Sequence, residues 1–318
     1  MQTLADERAY DAGIKNLGQT CYFNALLTCL SSATPFVHHL WQHLHQHSHS
    51  GSNSRCLRCR LARDLALLCE PGRRRAFTPE TPQHFDEWAP HFRLGAQQCV
   101  GEASNCLLDT VAMEDLNSVV HLATPAEVTD LGRSTVAAEH FQVAWTQARC
   151  CLNGACADAH VLEADNLGLQ LELPPESATV LELLEEHFRT EHIADFECQL
   201  CHALGSEVRK TVTRWPPVLL LHVKRFHTDL LGNSRKLTEP LFFEELLASE
   251  LFKFTYVLQA VAEHTGRFGG GHYWSFVRDC DDQWVKVNDS ARPKVVTFEQ
   301  VQQAQAYLLV FRLVDATA

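Results

Sequence analysis

Three residues carry the chemistry this sequence could do. Cys21 closes the stretch Gly13-Ile-Lys-Asn16-Leu-Gly18-Gln19-Thr20-Cys21 and opens the apolar run Cys21-Tyr-Phe-Asn-Ala-Leu-Leu-Thr-Cys-Leu30. That spacing puts a thiol where a glycine-bearing polar loop becomes a helix. A helix N-terminus favours negative charge, and thiolate, not thiol, is the nucleophile. The loop's backbone N–H groups also face whatever binds in front of it. His272 follows Gly269-Gly270-Gly271 directly, and Asn288 closes Trp284-Val-Lys-Val-Asn288 sixteen positions later. Two strands joined by a turn set these two side chains opposite each other. A cysteine nucleophile, a histidine base and an amide that orients the base make the Cys-His-Asn form of the nucleophilic triad. Histidine suits the role because its ordinary pKa lies close to working pH.

A second chemistry is metal binding. Cys198-Gln-Leu-Cys201 is a CxxC on a turn. Zinc wants four ligands. Cys150-Cys151-Leu-Asn-Gly-Ala-Cys156 can supply the other two, as Cys156 with either Cys151 or Cys150. Cys56-Leu-Arg-Cys59 is another CxxC, but it lies on the helical pattern Leu57, Leu61, Leu65, Leu68, where i and i+3 share a face. With no second pair nearby in sequence, it reads as helix packing rather than metal. The tract from His38 to His49, followed by Ser50-Gly-Ser-Asn-Ser54, reads as a helix end running into a solvated loop. No second cluster of fixed spacing supports a metal there.

These groups must be positioned by the elements around them. The first third has helical spacing at Cys21 to Leu30, at Leu57 to Leu68 and around Cys106 to Val111. From about Phe141 the pattern turns to strands: Leu167 to Leu173, Val208 to Val212, Val218 to Val223, Tyr256 to Val261, His272 to Val277, Trp284 to Val287 and Tyr307 to Leu313, with a helix at Val180 to Phe188. Helices first and strands later predict an α+β fold with a cleft between the two halves. No internal repeat is present.

Composition narrows the function classes. The chain has 318 residues, 46% hydrophobic, enough for a sizeable core. A net charge of -12 argues against nucleic acid as a partner. Arg73-Arg74-Arg75 follows Pro71-Gly72 and reads as a solvated turn. Thirteen cysteines behind a polar N-terminus with no apolar leader point to an intracellular, reducing compartment, cytoplasmic or nuclear, and no membrane span is apparent.

The wording around these residues is specific. Gly13 to Leu27 resembles the cysteine box of the ubiquitin-specific protease family of deubiquitinases, and Gly271-His-Tyr-Trp-Ser-Phe-Val-Arg with Trp284-Val-Lys-Val-Asn-Asp-Ser resembles its histidine box. Pro217 to Phe226 resembles the strand after its zinc ribbon, and Ala306 to Arg312 its closing strand. The resemblance implies a papain-like cysteine protease fold with helical thumb, β-rich palm and β fingers. It implies an N-terminal extension at 1–12, a catalytic domain at 13–313 with fingers at approximately 141–214, and a tail at 314–318. Cys21 would be the nucleophile, His272 the base and Asn288 its orienter. Asn16 would stabilise the oxyanion with the Cys21 N–H, a contribution of roughly 3 kcal/mol, and Asp289 would lie beside it. Gln98, Gly270, Gly271 and Tyr273 would touch substrate. Cys151, Cys156, Cys198 and Cys201 would hold a structural zinc, with no organic cofactor. The partners would be ubiquitin and ubiquitinated proteins, whose arginine-bearing tail an acidic cleft would favour.

One departure stands out. The family's Gln-Gln-Asp reads Gln97-Gln98-Cys99 here, and small residues follow Glu102. The rival readings are a silent ubiquitin-binding module, which this departure supports, and a protease for a ubiquitin-like modifier.

Overall fold

The helix that begins at Cys21 is buried along its whole length. The computed structural model describes residues 8–47, 55–119, 135–228, 234–267 and 270–314. Helix α1 (Cys21–Ser31) keeps all its residues from solvent, as a helix apolar on most sides must. It packs against α3 (Leu57–Leu68), α5 (Val100–Val119) and the main sheet, with α2 (Thr34–His47) alongside α3. The short α4 (Phe85–Trp88) contributes Phe85 to an edge-to-face pair with Phe23. Cys56 makes no side-chain cap for α3; Glu114 of α5 accepts from Leu57 N at 2.8 Å and Arg58 N at 3.2 Å instead. Helix α6 (Val136–Phe141) ends the helical half.

Two sheets follow. Strands β1 (Gln142–Cys151), β2 (Ala159–Leu167), β5 (Glu191–Glu197) and β6 (Leu204–Arg214) form an antiparallel sheet in the order β2-β1-β6-β5. These strands fall at 142–167 and 191–214. The eight-stranded sheet runs β15-β14-β13-β12-β16-β7-β3, with β11 against β12. Its strands are β3 (Leu169–Glu172), β7 (Val218–Lys224), β11 (Leu246–Ser249), β12 (Phe254–Arg267), β13 (Gly270–Arg278), β14 (Trp284–Val287), β15 (Lys294–Val296) and β16 (Ala306–Leu313). Small pairs are made by β4 (Ala178–Thr179) with β10 (Leu241–Phe242), and by β8 (Phe226–Thr228) with β9 (Ser234–Lys236).

The large sheet separates two cores. Val218 and Leu220 face the helices, while Leu219, Leu221 and Val223 face the opposite cluster. That alternation is the period of two expected of a strand buried on both sides. The second cluster is closed by α7 (Val180–His187), whose capping box is complete: Thr179 Oγ1 accepts from Glu182 N, and Glu182 accepts from Thr179 N. Helix α8 (Phe298–Gln302) leads into β16.

One predicted strand is divided. Leu167 to Leu173 alternates, yet β2 ends at Leu167 and β3 starts at Leu169. Gly168 sits at φ +83°, and a Cβ there would meet the Leu220 carbonyl at 2.7 Å. The glycine turns the chain from one sheet to the other. Among the described residues, no helix is long and apolar enough to cross a membrane.

Candidate active site

Ser275 joins the two elements that carry the candidate triad. It is fully buried on β13 and donates from Oγ to the Ala25 carbonyl of α1 at 3.0 Å. Helix α1 presents Cys21 at its first position, only 2% exposed, and β13 presents His272. The β13–β14 register pairs Ser275 with Val287, so His272 and Asn288 fall at the same end of the two strands. Asn288 Oδ1 accepts from His272 Nε2 at 2.7 Å. An oxygen acceptor requires the proton on Nε2, which leaves the Nδ1 lone pair free to accept one. Phe268 and Gly269 lie outside the described residues.

The loop before Cys21 is held from both sides. Asn16 Oδ1 accepts from Gly18 N at 3.0 Å and Thr20 N at 3.1 Å, while its Nδ2 donates to Asp289 Oδ2 at 2.9 Å. Asp289 Oδ1 accepts from Asn24 Nδ2 at 2.7 Å, and its backbone carbonyl from Ile14 N at 2.8 Å. This approach needs Gly13, because a Cβ there would lie 2.0 Å from the Asp289 carbonyl oxygen. Asp289 itself takes φ +43°, a left-handed conformation that Asp tolerates. Its carboxylate is thus an acceptor for two side-chain amides, not a donor toward an oxyanion.

Burial raises the Cys21 thiol above its ordinary pKa. The Tyr273 backbone N–H acts against that, the Asp289 charge adds to it, and the N–H groups of Tyr22 and Cys21 again lower it. The resting side chain is therefore a thiol, and a base must take its proton.

A cavity of about 490 Å³ opens between the helical half and the sheet. Gln97, Gln98, Cys99, Gly270 and Tyr273 line it, and Gln97 Nε2 donates to the Gly271 carbonyl. Gly271 cannot carry a side chain: a Cβ would stand 2.1 Å from the Thr265 carbonyl oxygen. The four residues expected to touch substrate thus lie along or beside this cavity. An acidic lining is not what the structure has. Glu102 is accompanied by Lys224, Arg225 and Arg267, although the Arg225 guanidinium is buried and donates to the carbonyls of Ala306, Leu237 and Glu239. The chain's net charge is carried elsewhere.

The Cys99 departure preserves helix packing. Cys99 Sγ lies 3.5 Å from His222 Nε2, and a Cβ on Gly101 would stand 2.2 Å from the His222 ring. Small residues let the first turn of α5 sit directly on β7. Burial, then the Lys224 charge, lower His222 to a pKa of about 4, so the imidazole beside the thiol is neutral.

The fingers bring four thiols together. The Sγ atoms of Cys151, Cys156, Cys198 and Cys201 all lie within 4.8 Å of one another, with Cys151–Cys201 and Cys156–Cys198 each at 3.7 Å. Tetrahedral zinc with bonds of about 2.3 Å sets its sulfurs about 3.8 Å apart, so the donor set fits. Cys151 is the member of the first pair; Cys150, one residue earlier on β1, points to the other face. Zinc here would tie the β1–β2 turn to the β5–β6 turn. We expect Cys198→Ser to lose the ribbon's zinc by elemental analysis. It should also lose amide-exchange protection in β1, β2, β5 and β6, while the eight-stranded sheet keeps its own.

The sequence left out Asn24 and Ser275. Asn24 lies one helical turn after Cys21, a polar residue in an apolar run, and that was the available signal. Ser275 gives none, since a buried serine is recognisable only from its partner.

Fold and site together define a papain-like cysteine protease fold with thumb, palm and fingers. Residues 12–311 match the family model described as ubiquitin carboxyl-terminal hydrolase, and the chain belongs to that family. It is similar to ubiquitin carboxyl-terminal hydrolase 25 of Arabidopsis thaliana, 26% identical over 94% of this chain and 47% of that protein. It is also similar to ubiquitin carboxyl-terminal hydrolase 42 of Homo sapiens, 26% identical over 94% of this chain and 23% of that protein. The chain thus spans about half or less of these two relatives. Among solved structures, the SAGA Ubp8/Sgf11/Sus1/Sgf73 DUB module bound to ubiquitin aldehyde superposes with a TM-score of 0.80 at 21% identity, covering 98% of this chain and 71% of that one. A SAGA DUB module bound to monoubiquitin gives 0.79 at 21% identity, with the same coverage.

Proposed function

We propose that this chain is a thiol-dependent deubiquitinase that hydrolyses the isopeptide or peptide bond after the C-terminal glycine of ubiquitin. The observation that carries the reading is the 2.7 Å bond from His272 to Asn288, on a strand bolted through Ser275 to the helix that starts at Cys21. Family membership and the likeness to ubiquitin-bound modules support the substrate.

His272 Nδ1 takes the Cys21 proton as sulfur attacks the glycine carbonyl. The developing oxyanion is met by the Cys21 N–H and the Asn16 amide. Collapse expels the lysine amine, which leaves with the proton from His272, and a thioester remains on Cys21. Water, deprotonated by His272, then releases ubiquitin and restores the thiol. The cavity past Gly270 and Gly271 takes the substrate's tail. The catalytic domain is 13–313, with fingers at 141–214 that grip the body of ubiquitin. The fingers' four cysteines hold a structural zinc, which supplies rigidity and no step of the reaction.

The test is a ubiquitin whose C-terminal carboxylate is replaced by an electrophile, run beside equivalent probes of ubiquitin-like modifiers. The expected result is one adduct with ubiquitin, mapped to Cys21 and absent in Cys21→Ala. No adduct, an adduct on another cysteine, or reaction only with a ubiquitin-like probe would overturn the reading.

A further inference from the structure

The CxxC at the start of α3 has company that its sequence neighbourhood hides. His43, in the last turns of α2, brings Nε2 to 3.4 Å from Cys56 Sγ. The donor atoms of His43, Cys56 and Cys59 all lie within 4.8 Å of one another, as do those of the finger thiols. Bonds of about 2.3 Å to sulfur and 2.0 Å to nitrogen, at tetrahedral angles, set the two donors about 3.5 Å apart around zinc. The observed separation matches.

We infer that His43, Cys56 and Cys59 form a second zinc site, independent of the finger ribbon, that staples the end of α2 to the start of α3.

The local chemistry favours a thiophilic dication. Cys56 is the residue just before α3 and Cys59 lies in its first turn, so the i, i+3 spacing sets both thiols on one face of the helix. Two thiolates and a neutral imidazole balance the charge of the ion and match zinc's preference for sulfur and nitrogen. Glu114 of α5 stands at the rim, its Oε2 3.8 Å from Cys56 Sγ, while the same carboxylate accepts from Leu57 N and Arg58 N. The fourth position is thus left to water, and the helix end that carries both thiols is fixed from α5. The expectation of plain helix packing is met only by Cys59, which is fully buried; Cys56 and His43 are partly exposed, as metal ligands at a surface joint are. In the sequence the CxxC and the histidine tract stand apart, and only the fold closes the thirteen positions from His43 to Cys56.

The test is zinc content of the whole purified chain, prepared under reducing conditions, by elemental analysis. Wild type is expected to carry about one more zinc per chain than Cys56→Ser/Cys59→Ser, whereas Cys198→Ser loses only the ribbon's ion. His43→Ala, a change on the more exposed side of the cluster, keeps the fold if the double variant does not. Its zinc should be taken by a competing chelator at concentrations at least about 10-fold lower than in wild type. Equal zinc in wild type and the double variant, with unchanged chelator competition in His43→Ala, overturns the site. So does a Cys56–Cys59 disulfide in place of the metal. None of these readouts depends on turnover, so they stand or fall apart from the proposed activity.

Discussion

Cys21→Ala is expected to abolish turnover of a ubiquitin C-terminal fluorogenic substrate, with kcat lower by about 10⁴-fold or more and ubiquitin affinity nearly unchanged. The substitution removes one atom from the side chain, and Cys21 does not line the cavity, so the cavity keeps its shape. His272→Ala should lose about as much. Burial raises the Cys21 pKa, so without His272 the sulfur stays protonated at neutral pH and cannot attack. The two residues act as a unit, and the double variant should be no slower than either single one. Stopped-flow kinetics of the three variants, with ubiquitin binding by calorimetry, decides this. Multiplying losses would mean that Cys21 and His272 do not share one step. Turnover by Cys21→Ala near the wild-type rate would remove the nucleophile from the proposal.

How much of this was legible in the sequence follows from the range of each interaction. The cysteine loop, the alternating strands and the histidine after its glycines are local patterns, and the structure puts α1, β13 and β14 where those patterns pointed. Asn288 was readable because a hairpin is a short-range object whose register brings residue 288 back to 272. Asp289 was readable as a neighbour of the site but not in its bonding. Its two amide partners, Asn16 and Asn24, lie more than 260 residues away in the chain. The four finger thiols were visible as two pairs, yet only strand direction separates Cys151 from Cys150. Cys99 was visible as a departure, but its contact with His222 was not. Gly101 and His222, from different halves of the fold, make the small residues fit. The acidic cleft was inferred from net charge, a quantity that carries no position, and the lining of the cavity differs.

Asn16→Ala is expected to lower kcat by about 10²–10³-fold with little change in KM, the cost of one oxyanion donor. The geometry assigns Asp289 a different part in the same step. Its carboxylate accepts from Asn16 at 2.9 Å and from Asn24 at 2.7 Å, so it holds the amide and has no proton to offer an oxyanion. Asp289→Asn keeps a residue that tolerates φ +43° but offers one carbonyl to two amide donors. Its kcat should fall by about 10-fold, and Asn16→Ala/Asp289→Asn should be no slower than Asn16→Ala alone. A second readout separates orientation from charge. Asp289 raises the Cys21 pKa, because a negative charge disfavours a thiolate beside it. Removing that charge must lower the pKa, so alkylation of Cys21 by iodoacetamide should reach half its maximal rate at lower pH in Asp289→Asn. Asn16→Ala removes no charge and should leave that midpoint in place. A midpoint moved by Asn16→Ala and not by Asp289→Asn would reverse the two assignments. Multiplying kcat losses in the double variant would show that Asp289 acts on the reaction by a route other than Asn16.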